Sequence, residues 1–165
     1  MGIISTEPNM QDYQYSYDND RLEIPEYFNF GFDVVDKWAQ DRTKMALVSV
    51  DSSGNHSQYH TFWDLKVLSD KYANSMKSQG VRKGDRIFIM LPRIPEWYVV
   101  MIGLLKLGAI PMPGTTLLTA KDIEYRITQA EASMAITDLE NSDKVNAAAG
   151  GCPTLNSLIV VGGER

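Results

Sequence analysis

The sequence predicts an α/β fold: an open, mostly parallel sheet with helices on both faces, preceded by a short hairpin. Three observations predict it. Strand-like and helix-like stretches alternate along most of the chain from residue 58 onward. One strand, Arg86–Leu91, is apolar almost throughout, as in a parallel sheet covered on both faces. The segments between strands are long enough for helical crossovers, which join parallel strands in a right-handed sense.

The elements follow in chain order. Phe30, Val34, Val35 and Trp38 fall at helical spacing and predict an amphipathic helix over roughly 31–41. Ala46–Val50 and Gln58–His60 read as strands, and the turn-forming run Asp51-Ser52-Ser53-Gly54-Asn55 joins them into a hairpin. Thr61 reads as an N-cap, with Asp64 three residues on as an acidic variant of the capping box. Phe62, Leu65, Leu68, Tyr72, Ala73 and Met76 mark one face of the helix that follows, and Gly80 ends it. Val81–Asp85 turns into the Arg86–Leu91 strand. Pro95 and Glu96 suit a first helical turn, and Gly108 closes the helix behind Leu107. Ile110–Met112 is the next strand. Thr119 with Asp122 starts a helix that points Ile123, Ile127 and Ala130 inward. Met134–Thr137 is a strand, Leu139–Ala149 a weak helix and Leu158–Val161 a last strand. No internal repeat is evident.

The stretch Trp97–Leu105 is apolar on all sides except at Gly103. A helix on the outside of a sheet normally keeps a polar stripe for water. Large apolar side chains contribute about 1.5–3 kcal/mol each on burial, so both sides of this helix call for cover. Self-association through residues 97–107, another partner, or the N-terminal arm would supply it.

Composition bounds the rest. The 165 residues suffice for one domain, and 44% apolar with 22% charged residues excludes collagen-like, low-complexity and fully disordered chains. One cysteine, Cys152, permits no internal disulfide and no paired-cysteine metal or redox site, which points to a reducing compartment and a cytoplasmic location. Met1–Gln14 lack the basic and apolar regions of a secretory signal, and no apolar run approaches the roughly 20 residues of a membrane span. Residues 1–28 hold six acids and one base and account for the whole net charge of −5; residues 29–165 balance at 15 against 15. With no basic face, a nucleic-acid partner is not expected. Residues 1–28, rich in acid and tyrosine and without a helical period, read as an extended arm, and residues 29–165 as the α/β unit.

Common catalytic signatures are missing. There is no G-x-G-x-x-G, no P-loop and no G-x-S-x-G elbow. His56 and His60 are four residues apart in a turn and strand, about 13 Å along an extended chain, too far to share one ion. No metal ligands and no catalytic residues are assigned. Asp85 fits an Asx-type turn better than a catalytic role. Gly114-Thr115-Thr116 lie beyond the Ile110–Pro113 strand, at the carboxyl edge where open α/β sheets bind ligands, although threonines in such loops also satisfy local backbone groups.

From about Phe30 to Arg165 the chain resembles the opening of an adenylate-forming enzyme, most of all an acyl-CoA synthetase of the medium-chain type. Five linked pieces carry the resemblance in order: Gln58–Leu65, Gly80–Ile87, Leu91–Trp97, Leu105–Pro113 and Gly114–Ile123. The last points to the medium-chain branch. The resemblance implies that the chain is the first part of the large N-terminal domain of such an enzyme. The parent would join a carboxylic acid to coenzyme A through an acyl-adenylate, using ATP and Mg2+ and releasing AMP and pyrophosphate. It also implies that Gly114, Thr115, Thr116 and Leu117 line a coenzyme A or acyl channel. Leu117 stands where medium-chain relatives carry a glutamine facing coenzyme A, and leucine offers no polar contact there. The family's Ser/Thr/Gly-rich phosphate loop ending in Pro-Lys is not in the sequence, so these residues alone are expected to bind no cofactor and catalyse no adenylation. The alternative is a non-catalytic α/β module that works by association.

Overall fold

The computed structural model describes residues 12–19, 21 and 25–162. Most of the arm, and most of the Met1–Gln14 stretch judged for a signal, lie outside these residues. Over Tyr13–Asn19 the arm is not extended but forms a short helix, α1. Local pairs hold it: Asp12 Oδ1 accepts from the Tyr15 amide at 2.9 Å, Gln14 reaches Asp18 at 3.0 Å, and the rings of Tyr13 and Tyr17 stack at 6.1 Å. None of α1 is buried, so it does not cover the apolar helix.

The helix expected over 31–41 is a π-helical segment, Phe30–Asp36, with a last turn through Trp38. Wider winding moves the inward stripe onto Val35 and Ala39, leaving Phe30 and Trp38 about half exposed. Asn29 sets its start. Its Oδ1 accepts from the Gly31 amide at 2.9 Å, while its Nδ2 donates to the Leu105 carbonyl at 2.6 Å.

β1 (Met45–Val50) and β2 (Ser57–Thr61) form the expected antiparallel hairpin. Asp51 Oδ1 organises its turn by accepting from the amides of Ser53 and Asn55, both at 3.1 Å. Thr61 then caps α2 (Phe62–Ser78) with a full capping box. The Thr61 amide donates to Asp64 Oδ2 at 2.8 Å, and the Asp64 amide returns to Thr61 Oγ1 at 3.1 Å. The buried stripe is Leu65, Ser69, Ala73 and Met76; Ser69 lies inward and Leu68 outward because the next helix closes in at Ser69.

The main sheet has the order β4-β3-β5-β6, all parallel: β3 is Arg86–Met90, β4 Ile110–Pro113, β5 Met134–Asp138 and β6 Ser157–Val161. Alternation along β3 sorts the core. Ile87 and Ile89 pack with Met76, Val100, Leu104 and Ile136 on the face that carries α2 and α3 (Pro95–Leu107). Phe88 and Met90 pack with Ile123, Ile127, Ala135, Val145 and Ala148 on the face of α4 (Ala120–Ala130) and α5 (Ser142–Ala149). Gly108 ends α3 at φ 71°, and Thr119–Asp122 repeats the capping box on α4.

Much of the cover for the apolar helix comes from within the chain, while Tyr98 stays exposed and Trp97, Val99, Met101, Leu105 and Leu107 are half-buried. α3 lies between the sheet and α2, and its third side meets Val35 of the π-helical segment through Ile102. Gly103 permits the close approach: a Cβ there would sit 2.8 Å from the Tyr72 ring and 3.0 Å from the Ser69 carbonyl oxygen. Lys106 is the one charged residue of α3 behind its first turn, and its side chain is 3% exposed. Its ammonium lies 2.7 Å from Asp36 and 2.6 Å from Asp70, with Lys66 closing the cluster on Asp70. Burial raises the Asp70 carboxyl, but hydrogen bonds from Lys106 and Lys66 outweigh it and hold the group below its ordinary value.

Three measurements test this packing. Lys106→Met takes the buried cation from Asp36 and Asp70, leaving the more exposed Lys66 as the cation they share, and is expected to lower stability by about 2 kcal/mol in urea unfolding. Tyr72 has a buried hydroxyl with no partner, and burial pushes its phenol far above its ordinary value. Tyr72→Phe is therefore expected to hold or raise stability, by up to about 1 kcal/mol, in the same assay. Asp64, Asp70 and Asp122 all sit below the ordinary aspartate value of 3.8, Asp64 chiefly through the Thr61 amide and Asp122 chiefly through the Thr119 hydroxyl. Groups depressed in the folded state stabilise it fully above their unfolded values and stop doing so as pH falls through the folded ones. The urea midpoint should therefore fall between about pH 5 and about pH 2, and less steeply in Asp64→Asn.

Candidate functional site

β3, β4 and β5 point their carboxyl ends to one edge of the sheet, and their connections leave that edge in different directions. The chain after β3 runs to α3 on one face; the chains after β4 and β5 run to α4 and α5 on the other. Such a divergence opens a crevice between neighbouring strand ends, the usual ligand position in open α/β sheets.

The Gly114–Leu117 loop sits at this edge. Gly114 donates its amide to the Ile89 carbonyl at 2.7 Å. A Cβ on it would lie 2.9 Å from Leu118 and 3.0 Å from the Phe88 ring, so packing against the core already requires glycine. Thr115 builds the turn. Its Oγ1 accepts from the Leu117 amide at 3.3 Å and its carbonyl from the Leu118 amide at 3.2 Å. The Thr116 carbonyl accepts from Lys144 Nζ of α5 at 2.8 Å. Leu117 stands 86% exposed at the loop's tip.

Sequence reasoning missed the neighbours of this loop. Asp138, at the end of β5, accepts through Oδ1 from the Asn141 side-chain amide at 2.7 Å, and Asn141 Oδ1 accepts in turn from Lys144 at 3.2 Å. Thr137, on β5 beside Met90 and Val160, has a buried hydroxyl without a partner. Beyond β3, Leu91, Pro92, Arg93, Trp97 and Tyr98 line a cleft of about 250 Å³. The exposed Arg93 is at its rim, and the two aromatic rings meet edge to face at 5.1 Å. Leu91–Trp97 had a signal as one of the five motif pieces, whereas Thr137, Asp138, Asn141 and Lys144 had only their position at or after the carboxyl end of a parallel strand.

The remaining candidates fall elsewhere. Asp85 Oδ2 accepts from the Arg82 amide at 2.8 Å, the expected turn. His60 lies on β2 and His56 in the hairpin turn, outside the main sheet. Cys152 is buried behind α5, its thiol donating to the Ala148 carbonyl at 3.3 Å. Among the described residues no three His, Cys, Asp or Glu side chains are grouped to hold a metal ion, and no helix is long and apolar enough to cross a membrane.

This architecture has known relatives. A solved anthranilate CoA ligase, AuaEII, in complex with anthranoyl-AMP superposes with a TM-score of 0.72 at 25% identity, over 84% of this chain and 26% of that one. Acyl-coenzyme A synthetase ACSM3, mitochondrial, of Mus musculus is 35% identical over 164 residues, 95% of this chain and 28% of the relative. Acyl-coenzyme A synthetase ACSM4, mitochondrial, of Homo sapiens is 37% identical over 145 residues, 84% of this chain and 25% of the relative. The chain thus spans about a quarter of the length of the curated relatives it matches. These relatives are named as mitochondrial, which overturns the cytoplasmic location expected from the sequence. A low cysteine count marks a reducing environment and does not separate one such compartment from another. The family model described as AMP-binding enzyme matches residues 35–164, and with it the chain belongs to the AMP-binding enzyme family.

Proposed function

We propose that the chain is the opening part of an acyl-CoA synthetase whose whole polypeptide converts a carboxylic acid, ATP and coenzyme A into acyl-CoA, AMP and pyrophosphate through an acyl-adenylate. One observation carries the reading: the five motif pieces seen in the sequence fall, in order, on the same parallel-sheet frame that a solved CoA ligase shares. Carboxylic acids are the substrate class that the named acyl-coenzyme A synthetase relatives support, and the Gly114–Ile123 piece resembles the medium-chain branch. Residues 29–165 are taken as its first α/β portion, with 1–28 as a leading segment.

ATP and Mg2+ do not fit the groups present. Transfer at phosphorus needs preorganised donors and a cation around the phosphates, and neither a glycine-rich phosphate loop nor a carboxylate cluster occurs among the described residues. No step is therefore assigned to this segment at the adenylate. Coenzyme A fits better. The carboxyl edge offers the Gly114–Leu117 loop, with Lys144 beside it, and coenzyme A is an anionic, partly apolar ligand with a long flexible arm. Thr116 and Leu117 are the residues placed to border that arm, and the exposed Leu117 favours an apolar contact over the hydrogen bond a glutamine would make. Association between copies through residues 97–107 has less to draw on, because α2 covers that helix.

ATP–pyrophosphate exchange with a series of C2–C12 acids tests the proposal. The 165-residue chain is expected to show none. A longer polypeptide that continues this segment into a Ser/Thr/Gly-rich loop ending in Pro-Lys is expected to exchange. Exchange by the short chain would refute the division of labour proposed here.

A further inference from the structure

We propose that Lys144 is the positioning residue of the Gly114–Leu117 loop and that its positive charge keeps the loop in a ligand-ready shape; the inference rests on the reading of that loop as a coenzyme A channel. Two local rules are broken at one place, the start of α5. Asn141 occupies the N-cap but makes no capping hydrogen bond with its side chain, although asparagine is among the best capping residues. Lys144 lies in the first turn, where the helix dipole disfavours a cation. Both departures have the same destination. The Asn141 amide is turned to Asp138 at 2.7 Å, its oxygen receives Lys144 at 3.2 Å, and Lys144 reaches across to the Thr116 carbonyl at 2.8 Å. Local stability is given up where the chain gains a link from the end of β5 to a loop 28 residues away.

The loop has little else to hold its middle. Gly114 is pinned to β3 and Thr119 to α4, while the bonds of Thr115 stay inside the turn. Lys144 is the side chain from another element that hydrogen-bonds the segment between those two anchors, and Asn141, 6% exposed, aims it. An ammonium on a backbone carbonyl is a charge-assisted bond, stronger than a neutral one. Neutralising Lys144, by substitution or by acylation of its amine, removes that bond without touching the core beneath.

Amide hydrogen exchange followed by NMR on the 165-residue chain, with coenzyme A titration of the longer polypeptide in parallel, tests this. The bond is solvent-exposed, so Lys144→Met and Lys144→Gln are each expected to speed exchange at Leu117 and Leu118 about threefold. Lys144→Arg is expected to restore protection, and β3 and β5 to keep theirs in all three. Coenzyme A affinity should follow loop protection across the series. Unchanged exchange at Leu117 and Leu118 in both neutral variants overturns the inference. So does a loss of protection spread equally over β5 and α5, which would mark Lys144 as part of general stability. If the longer polypeptide fails to bind coenzyme A while the loop still loosens in Lys144→Met, the channel reading fails and the Lys144 link survives it.

Discussion

The constraint on which this structure turns is a helix that is apolar on nearly every side and meets water chiefly at Glu96 and Tyr98. α3 is apolar around its circumference, so the sheet alone cannot satisfy it, and α2 and the π-helical segment complete the enclosure. Behind its first turn the helix carries one charge, on Lys106. Removing an ammonium from water is costly unless anions replace the lost hydration, and Asp36 and Asp70 do so from the two elements that must dock. Charge thus specifies which segments enclose the helix, while apolar burial supplies the driving force. Gly31 and Gly103 belong to the same constraint: a Cβ at Gly31 would meet Lys106 Cγ at 2.5 Å, and one at Gly103 would meet α2.

Much of this was legible in the sequence, and the part that was not has physical causes. Strands and helices from Thr61 onward declare themselves through capping boxes, closing glycines and the unbroken apolar run of β3, all of which act within a few residues. Pattern reading failed where a distant contact decides the outcome. Phe30, Val34, Val35 and Trp38 fit an ordinary helical stripe, yet Asn29 bonds to Leu105 and Gly31 lies against Lys106, and the local winding widens to meet both. Cover for α3 was sought in another copy or in the arm because sequence spacing does not reveal that α2 folds over it. Of the candidate edge, the Gly114–Leu117 loop was readable from its place after a strand. Asp138, Asn141 and Lys144 were not, since Asp138 looks like an ordinary strand end and the other two like ordinary residues of a weak helix until the loop is brought beside them.

The two faces of the sheet carry different duties. The face of α2 and α3 is anchored by an ion cluster centred on the buried Lys106. That of α4 and α5 has helices that begin at the edge where the candidate loop lies. Rigidity below and adjustable contacts above suit a surface that must receive a flexible ligand. The polar links at this edge run as side-chain pairs from Asp138 through Asn141 to Lys144 and meet backbone at the Thr116 carbonyl.

Strand order also bears on how the chain comes to be folded. β3 sits between β4 and β5, so its second parallel neighbour is made only after α4 has been synthesised. Until residues 134–138 leave the ribosome, the middle strand of the sheet offers a bare edge flanked by Ile87, Phe88 and Ile89. Non-local parallel pairing of this kind forms slowly and leaves nascent chains prone to sticking together. Early termination within α4 would yield a polypeptide with a finished hairpin, an enclosed α3 and an unfinished sheet, a natural client for chaperones.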